Sequence, residues 1–250
     1  MSGLPIAIRP LADSTLLVDI GREPVIAAAR SAAVTRLAQR LIDRRLPGVS
    51  DVIPGYSTIL IEFELADADI GELEEAIAAE AARIEDAASL PLRRVTIPVL
   101  YGGEQGPDLV EVAERTGLDE AGVIALHSGP EYFVACMGFS PGWAYLLGLP
   151  EQLALPRRAT PRVRVPAGSL AIAGGQTGIY PMPTPGGWWL LGQTPARLFD
   201  LRREPPFTLK PGDAVRFQPI DPDRFEALRA EAEAGELVAL IEEIGGAHGG

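Results

Sequence analysis

PRVRVPAGSLAIAGGQTGIYPMPTPGGWWLLGQTP, residues 161–195, sets short apolar runs between glycines and prolines. The runs Arg162–Val165, Ser169–Ala173 and Trp188–Leu191 are too short for helices and are bounded by turn residues, so they read as strands. The same punctuation extends outward, with 23 of the chain's 50 Gly and Pro residues falling in residues 138–212. Ala214–Pro219 adds one more β-run. Many short strands joined by Gly/Pro turns predict a closed or sandwiched all-β domain.

Upstream, β-rich Arg93–Val99 opens this region. Helices are expected near Asp108–Thr116 and Asp119–Leu126, and a strand over Tyr132–Met137. Downstream, Pro222–Ile244 reads as an acidic helix before a Gly-rich tail that holds His248. The first 92 residues follow a different rhythm. Ile6–Arg9 and Thr15–Ile20 form one strand pair, and Val49–Ile53 and Thr58–Phe63 form another. Ala-rich helices are expected at Glu23–Leu46, where Val34, Leu37 and Leu41 share a face, and at Asp69–Ala88. This ββαββα order predicts a small α+β sandwich with its helices on one sheet face. The expected organisation is residues 1–92 as the α+β domain, 93–220 as the β domain and 221–250 as a C-terminal helix with a flexible tail.

Composition narrows the function. The chain has 250 residues, 47% of them apolar, and a net charge of −12. Such a charge repels nucleic acid and anionic membrane surfaces. A single cysteine, Cys136, permits no internal disulfide and fits a reducing compartment. With His127 and His248 the only histidines, a tetrahedral zinc site is not expected. The start, Met1-Ser2-Gly3-Leu4-Pro5, lacks a signal-peptide pattern. Residues 132–150 and 165–196 are uncharged, but their glycines and prolines break any spanning helix. A cytoplasmic location is therefore expected.

Charge is unevenly spread. Residues 138–212 carry eight basic side chains against three acidic ones, a net of +5 inside an acidic protein. Such a region either attracts small anions or an acidic partner, or its arginines pair with the acidic helices.

Single motifs have bland alternatives. Gly174-Gly175-Gln176-Thr177-Gly178 lacks the GK[ST] ending of a phosphate-binding loop. Residues 101–108, YGGEQGPD, read as a turn in which Asp108 caps the following helix. His127 lies at an expected helix C-terminus, where the macrodipole favours its charged form; it serves either packing and capping or acid–base chemistry. Cys136, in an apolar run, reads as a buried small hydrophobe. The aromatics of Gly138-Phe139-Ser140-Pro141-Gly142-Trp143-Ala144-Tyr145 and of Trp188-Trp189 sit beside constrained turns and arginines. They line a pocket or groove, or fill the core, and one of the two adjacent tryptophans is expected to do the latter.

The segments YGGEQGPDL (101–109), HSGPEYFVACMGFSPGWAYL (127–146), PRRATPRVRVPAGSLAIAGGQTGIYP (156–181), PGGWWLLGQTP (185–195), LFD (198–200) and PGDAVRF (211–217) together resemble the KipI-type family. That family includes the B subunits of 5-oxoprolinases and the first subunit of allophanate hydrolase-like proteins. Trp143 stands where relatives often carry Phe, which preserves an aromatic wall. The resemblance implies a cyclophilin-like β-barrel after the α+β domain. It also implies a share in the ATP-dependent opening of 5-oxoproline to L-glutamate with C-like and A-like partner subunits of 5-oxoprolinase, the chain being inactive alone. Inhibition of a histidine kinase by binding, or membership of a urea- or allophanate-degrading hydrolase, are the alternatives within the family.

For the lactam reading, the expected catalytic residues are His127 as proton carrier, Arg162 and Gln176. Arg157, Arg158, Tyr145, Tyr180 and Trp188 would bind a small anionic substrate, and Phe139 and Trp143 would line a partner groove. Phosphorylating the lactam oxygen makes its carbonyl a better electrophile, and phosphoryl transfer needs positioning and positive charge. ATP, with magnesium, is expected at the level of the complex rather than tightly bound by this chain. No metal of its own is expected.

Overall fold

The computed structural model describes residues 4–21, 28–84 and 93–244. The chain divides into two compact units, residues 1–90 and 91–250.

In the first unit the strands β1 (Ala7–Ala12), β2 (Thr15–Asp19), β3 (Val49–Pro54) and β4 (Thr58–Phe63) form an antiparallel sheet in the order β1-β2-β4-β3. Helices α1 (Ala28–Arg44) and α2 (Ile70–Ala81) join its core. Val34, Leu37 and Leu41 of α1 meet Leu73 and Ile77 of α2 and alternate sheet residues such as Val18, Ile59 and Ile61. Each such side chain withdrawn from water contributes roughly 1.5–3 kcal/mol. Asp69 starts α2 by accepting a hydrogen bond from the Glu72 N–H at 3.1 Å. Residues 23–27 and 85–88, the outer ends of the two expected helices, lie outside the described residues, as does His248.

The second unit is built on β5 (Arg93–Tyr101), β6 (Tyr132–Met137), β7 (Ala144–Leu147), β8 (Arg162–Val165), β9 (Ser169–Ala173), β10 (Gln176–Ile179), β11 (Thr184–Gly186), β12 (Trp189–Gln193), β13 (Ala214–Pro219) and β14 (Leu240–Glu243). Seven of these close into a barrel in the order β12-β9-β10-β7-β6-β13-β5, sealed where Gly192 pairs with Tyr101 and Gln193 with Leu100. Only β13 and β5 run parallel among the pairings of this sheet. Tyr132, Ile97 and Leu146 are fully buried in the barrel's interior core, so the barrel is solid rather than hollow. Helices α3 (Leu109–Thr116) and α4 (Glu120–Ser128) pack Val112 and Val123 against Ile172, Trp189 and Leu191.

Alternation along β9 separates two packing surfaces. Leu170 faces the interior core, whereas Ala171 and Ala173 pack with Trp143, Val165, Tyr180, Trp188 and Leu190. The β8–β11 pair, a separate two-stranded sheet, supplies Val165 to that second surface.

The single C-terminal helix expected over Pro222–Ile244 is corrected. Helix α5 spans Pro222–Glu233, and Gly235 at φ 100° ends it. The apolar run Val238-Ala239-Leu240-Ile241 then leads into β14 (Leu240–Glu243), paired antiparallel with the first half of β5. Packing Val238, Ala239 and Ile241 on the barrel core outweighs helix propensity here, while Leu240 stays exposed. Among the described residues, no helix is long and apolar enough to cross a membrane.

Candidate functional site

The site grows from the turn after β5. Gly106 packs so tightly on β12 that a Cβ there would sit 2.0 Å from the Leu191 carbonyl oxygen, so the turn admits no side chain. That approach lets Asp108 behave as an extra strand partner. Its N–H donates to the Leu190 carbonyl at 3.1 Å, and its Oδ2 accepts from the Leu190 N–H at 2.7 Å. The expected helix cap is therefore corrected, because the Asp108 side chain makes no capping bond to α3.

Asp108 is 3% exposed, and its Oδ1 accepts from both Arg158 Nη1 (2.8 Å) and Arg162 Nη2 (2.7 Å). Arg158 also lies 4.8 Å from the centre of the Trp189 ring, in cation–π range, with Arg115 at 4.9 Å from the same ring. Trp189 is fixed in turn by its Nε1–H donating to the Pro156 carbonyl at 2.7 Å. Arg158 Nε and Arg162 Nη1 are buried without a hydrogen-bond partner.

Beside this cluster, Trp143 forms an aromatic hub, edge-on to Tyr180 at 4.8 Å, Trp188 at 5.2 Å and Tyr145 at 6.0 Å. Gly186 makes room for Tyr180, since a Cβ there would fall 2.2 Å from the phenol oxygen. Burial raises the Tyr180 phenol above its ordinary range, while the Trp188 N–H and the charges of Arg157 and Arg162 oppose that rise. Burial and the Cys136 thiol also raise Tyr145, against the pull of Arg157. Arg157 itself is exposed and makes no ion pair among the described residues.

Each expected residue now has a place. Arg158, Arg162, Trp189 and Asp108 form one cluster. The charge of Arg157 is felt by the Tyr145 and Tyr180 phenols, and that of Arg162 by Tyr180. Gln176 starts β10 next to the Gly174-Gly175 turn, half-buried. That turn joins two strands rather than a strand and a helix, so it is no phosphate cradle. Trp188 and Tyr180 are buried, packed with Trp143, Val165 and Leu190. Trp143 is buried too, so it supports the groove loop from beneath rather than lining it. Trp188 and Trp189 both enter cores, though different ones. Asp108 escaped the sequence reading because its partners lie 50 to 82 residues away.

The charged His127 expected from the macrodipole is corrected. The ring is 0% exposed, and burial pushes its pKa down to about 3, so it is neutral. Nδ1 lies 2.9 Å from the Tyr101 hydroxyl and Nε2 2.9 Å from Thr177 Oγ1, with Phe217 stacked at 5.0 Å. Both nitrogens are engaged inside the protein, which fits packing. Cys136 is buried, and its thiol is pushed up to about 11.

A separate apolar groove of about 560 Å³ is lined by Phe139, Pro141, Pro205, Phe207, Leu209 and Lys210 among others. Phe139 is 65% exposed and holds a left-handed backbone at φ 65°, uncommon for a bulky side chain. Among the described residues, no group of three or more His, Cys, Asp or Glu side chains is placed to hold a metal ion.

The profile of the carboxyltransferase domain, subdomain C and D, matches residues 6–209. The chain belongs to that family. Within the family it is 47% identical over 204 residues to the B subunit of the 5-oxoprolinase of Escherichia coli O157:H7, covering 79% of this chain and 89% of that protein. The crystal structure of TTHA0988 superposes with a TM-score of 0.73 at 37% identity, over 86% of this chain. This chain spans only 40% of that one. The Kluyveromyces lactis urea carboxylase shares the fold at a TM-score of 0.72 and 19% identity, over 96% of this chain and 24% of its own.

Proposed function

We propose that this family member is the B subunit of an ATP-dependent 5-oxoprolinase, which opens 5-oxoproline to L-glutamate and turns over only with C-like and A-like partner subunits. The observation that carries this reading is the 47% identity to the B subunit of a 5-oxoprolinase over most of both chains. The cationic and aromatic face supports it. A lactam carbonyl is deactivated by amide resonance, and transfer of a phosphoryl group to its oxygen makes the carbon attackable by water. ATP, with magnesium, is a substrate whose site the partner subunits complete. Arg158 and Arg162 hold the substrate carboxylate, and exposed Arg157 balances developing negative charge. Gln176 and Tyr145 offer hydrogen bonds to the lactam amide, over the floor made by Tyr180 and Trp188. His127 keeps Thr177, the neighbour of Gln176, in place. The barrel is of the cyclophilin-like kind, and the protein works in the cytoplasm.

The exposed Phe139 and its groove favour a second reading, a binding protein that inhibits a histidine kinase. The shared fold with urea carboxylase keeps a urea- or allophanate-degrading hydrolase as a third. Co-purification with candidate partner subunits, followed by glutamate release from 5-oxoproline with and without ATP, tests the first reading. Partner-dependent glutamate release is expected. Absence of turnover, together with inhibition of kinase autophosphorylation by this chain, overturns it.

A further inference from the structure

We propose that Asp108 is a positioning residue that locks Arg158 and Arg162 into one fan, so that their remaining N–H edges receive the carboxylate of the lactam substrate. This rests on the function proposed above and names the substrate group that the arginine cluster takes.

Charge balance is the first reason. Around Trp189 and the turn stand Arg115, Arg158 and Arg162 against Asp108 and Glu111, the latter 3.6 Å from Arg158 Nη1 and paired with Arg115 at 2.7 Å. The cluster is one anion short, and exposed Arg157 widens the deficit. Two guanidinium groups on a single carboxylate oxygen repel each other, and Asp108 is the one carboxylate bonded to both. Unmet donors are the second reason. Arg158 Nε and Arg162 Nη1 lack partners despite burial, and a charged donor left unpaired in the interior is costly. A further carboxylate beside the fan offsets part of that cost through its charge.

Rigidity is the third reason. The Leu190 N–H pins Asp108 Oδ2, Arg158 lies on Trp189, and the Arg158 N–H donates to the Gly187 carbonyl at 2.8 Å. The Arg158 and Arg162 side chains are each 26% exposed, whereas that of Asp108 is only 4% exposed. Asp108 thus acts through the arginines. A planar carboxylate matches the guanidinium fork.

The test is Asp108→Asn in the reconstituted complex, a variant that keeps an oxygen for the Leu190 N–H and loses the charge. KM for 5-oxoproline is expected to rise at least tenfold, with KM for ATP within twofold and kcat within threefold. A rise in KM for ATP instead, or a fall in kcat with both KM values unchanged, overturns the proposal. If Asp108→Asn fails to fold by circular dichroism, Arg162→Gln is held to the same pattern. If the wild-type complex leaves 5-oxoproline untouched, the function reading fails, and equilibrium dialysis of labelled 5-oxoproline against the wild-type and variant chains decides the inference. Binding weakened tenfold by the variant, and absent for uncharged 2-pyrrolidinone, upholds it; equal binding or none overturns it.

Discussion

Arg93 grips Asp213 at both ends, Nε on Oδ1 at 2.8 Å and Nη2 on Oδ2 at 2.5 Å, tying the start of β5 to the residue before β13. The same guanidinium donates to the Thr208 carbonyl at 3.0 Å, and Asp213 Oδ2 accepts from the Lys210 N–H at 2.9 Å. Asp213 is fully buried, and its hydrogen bond holds Arg93 more firmly protonated.

Removing one member leaves the other charge buried and unpaired. Arg93→Ala is expected to destabilise the barrel by about 3–5 kcal/mol, read from urea unfolding curves. A loss below about 1 kcal/mol, typical of exposed pairs, would show that water reaches the site.

Gly106 has no room for a side chain, because the obstacle is the backbone of β12 rather than a flexible neighbour. Gly106→Ala is expected to cost at least about 1–3 kcal/mol and to loosen the Asp108 turn. Amide exchange at Leu190 should accelerate in the variant. Unchanged exchange would mean that the turn absorbs the methyl group without leaving β12.

His127 makes stability depend on pH. Its folded pKa lies near 3, below the ordinary 6.5, so between these values the unfolded chain binds a proton that the folded one refuses. The contribution is intact above pH 6.5 and lost as pH falls toward 3. Between pH 7.5 and 4.5 it amounts to about 2–3 kcal/mol. His127→Gln, which cannot titrate, should lose that much less than wild type over the same interval in paired denaturation series. Equal losses would assign the acid sensitivity to the carboxylates.

Much of this architecture was legible because its signals are local. Runs such as Arg162–Val165, Ser169–Ala173 and Ala214–Pro219 stand between turn residues and became β8, β9 and β13 with the expected bounds. Strand β10 was hidden, since Gly178 and the Gly174-Gly175 turn gave it no apolar run of its own. Strand β14 was hidden by an acidic, Ala-rich approach that looks helical until Gly235. At the site, residue types were readable but partnerships were not. Asp108 looked like a cap because its two arginines and Leu190 are distant in the chain. His127 was given the wrong charge because a macrodipole argument holds at a wet helix end, and this one is enclosed by Tyr101, Tyr132 and Phe217.

Phe139 holds a backbone shape that suits Gly or Asn far better than an aromatic residue. Phe139→Asn is expected to raise the unfolding free energy of the chain by about 0.5–1 kcal/mol. If the groove binds a partner, the same substitution weakens capture of that partner in pull-down assays. A destabilised variant would show that the ring's edge contact with Trp143, at 5.4 Å, outweighs the backbone relief.

β5 pairs with β13 along one edge, while its other edge is divided between β14 over residues 93–96 and β12 over residues 100–101. β5 thus finds its partners in segments as far as 150 residues later in synthesis order, and the last of them is residues 240–243. A nascent chain halted before that point leaves the first half of β5 with a bare row of amides and carbonyls. Such an edge invites pairing with other chains, so ribosome-stalled or clipped forms are the species that chaperones would have to shelter.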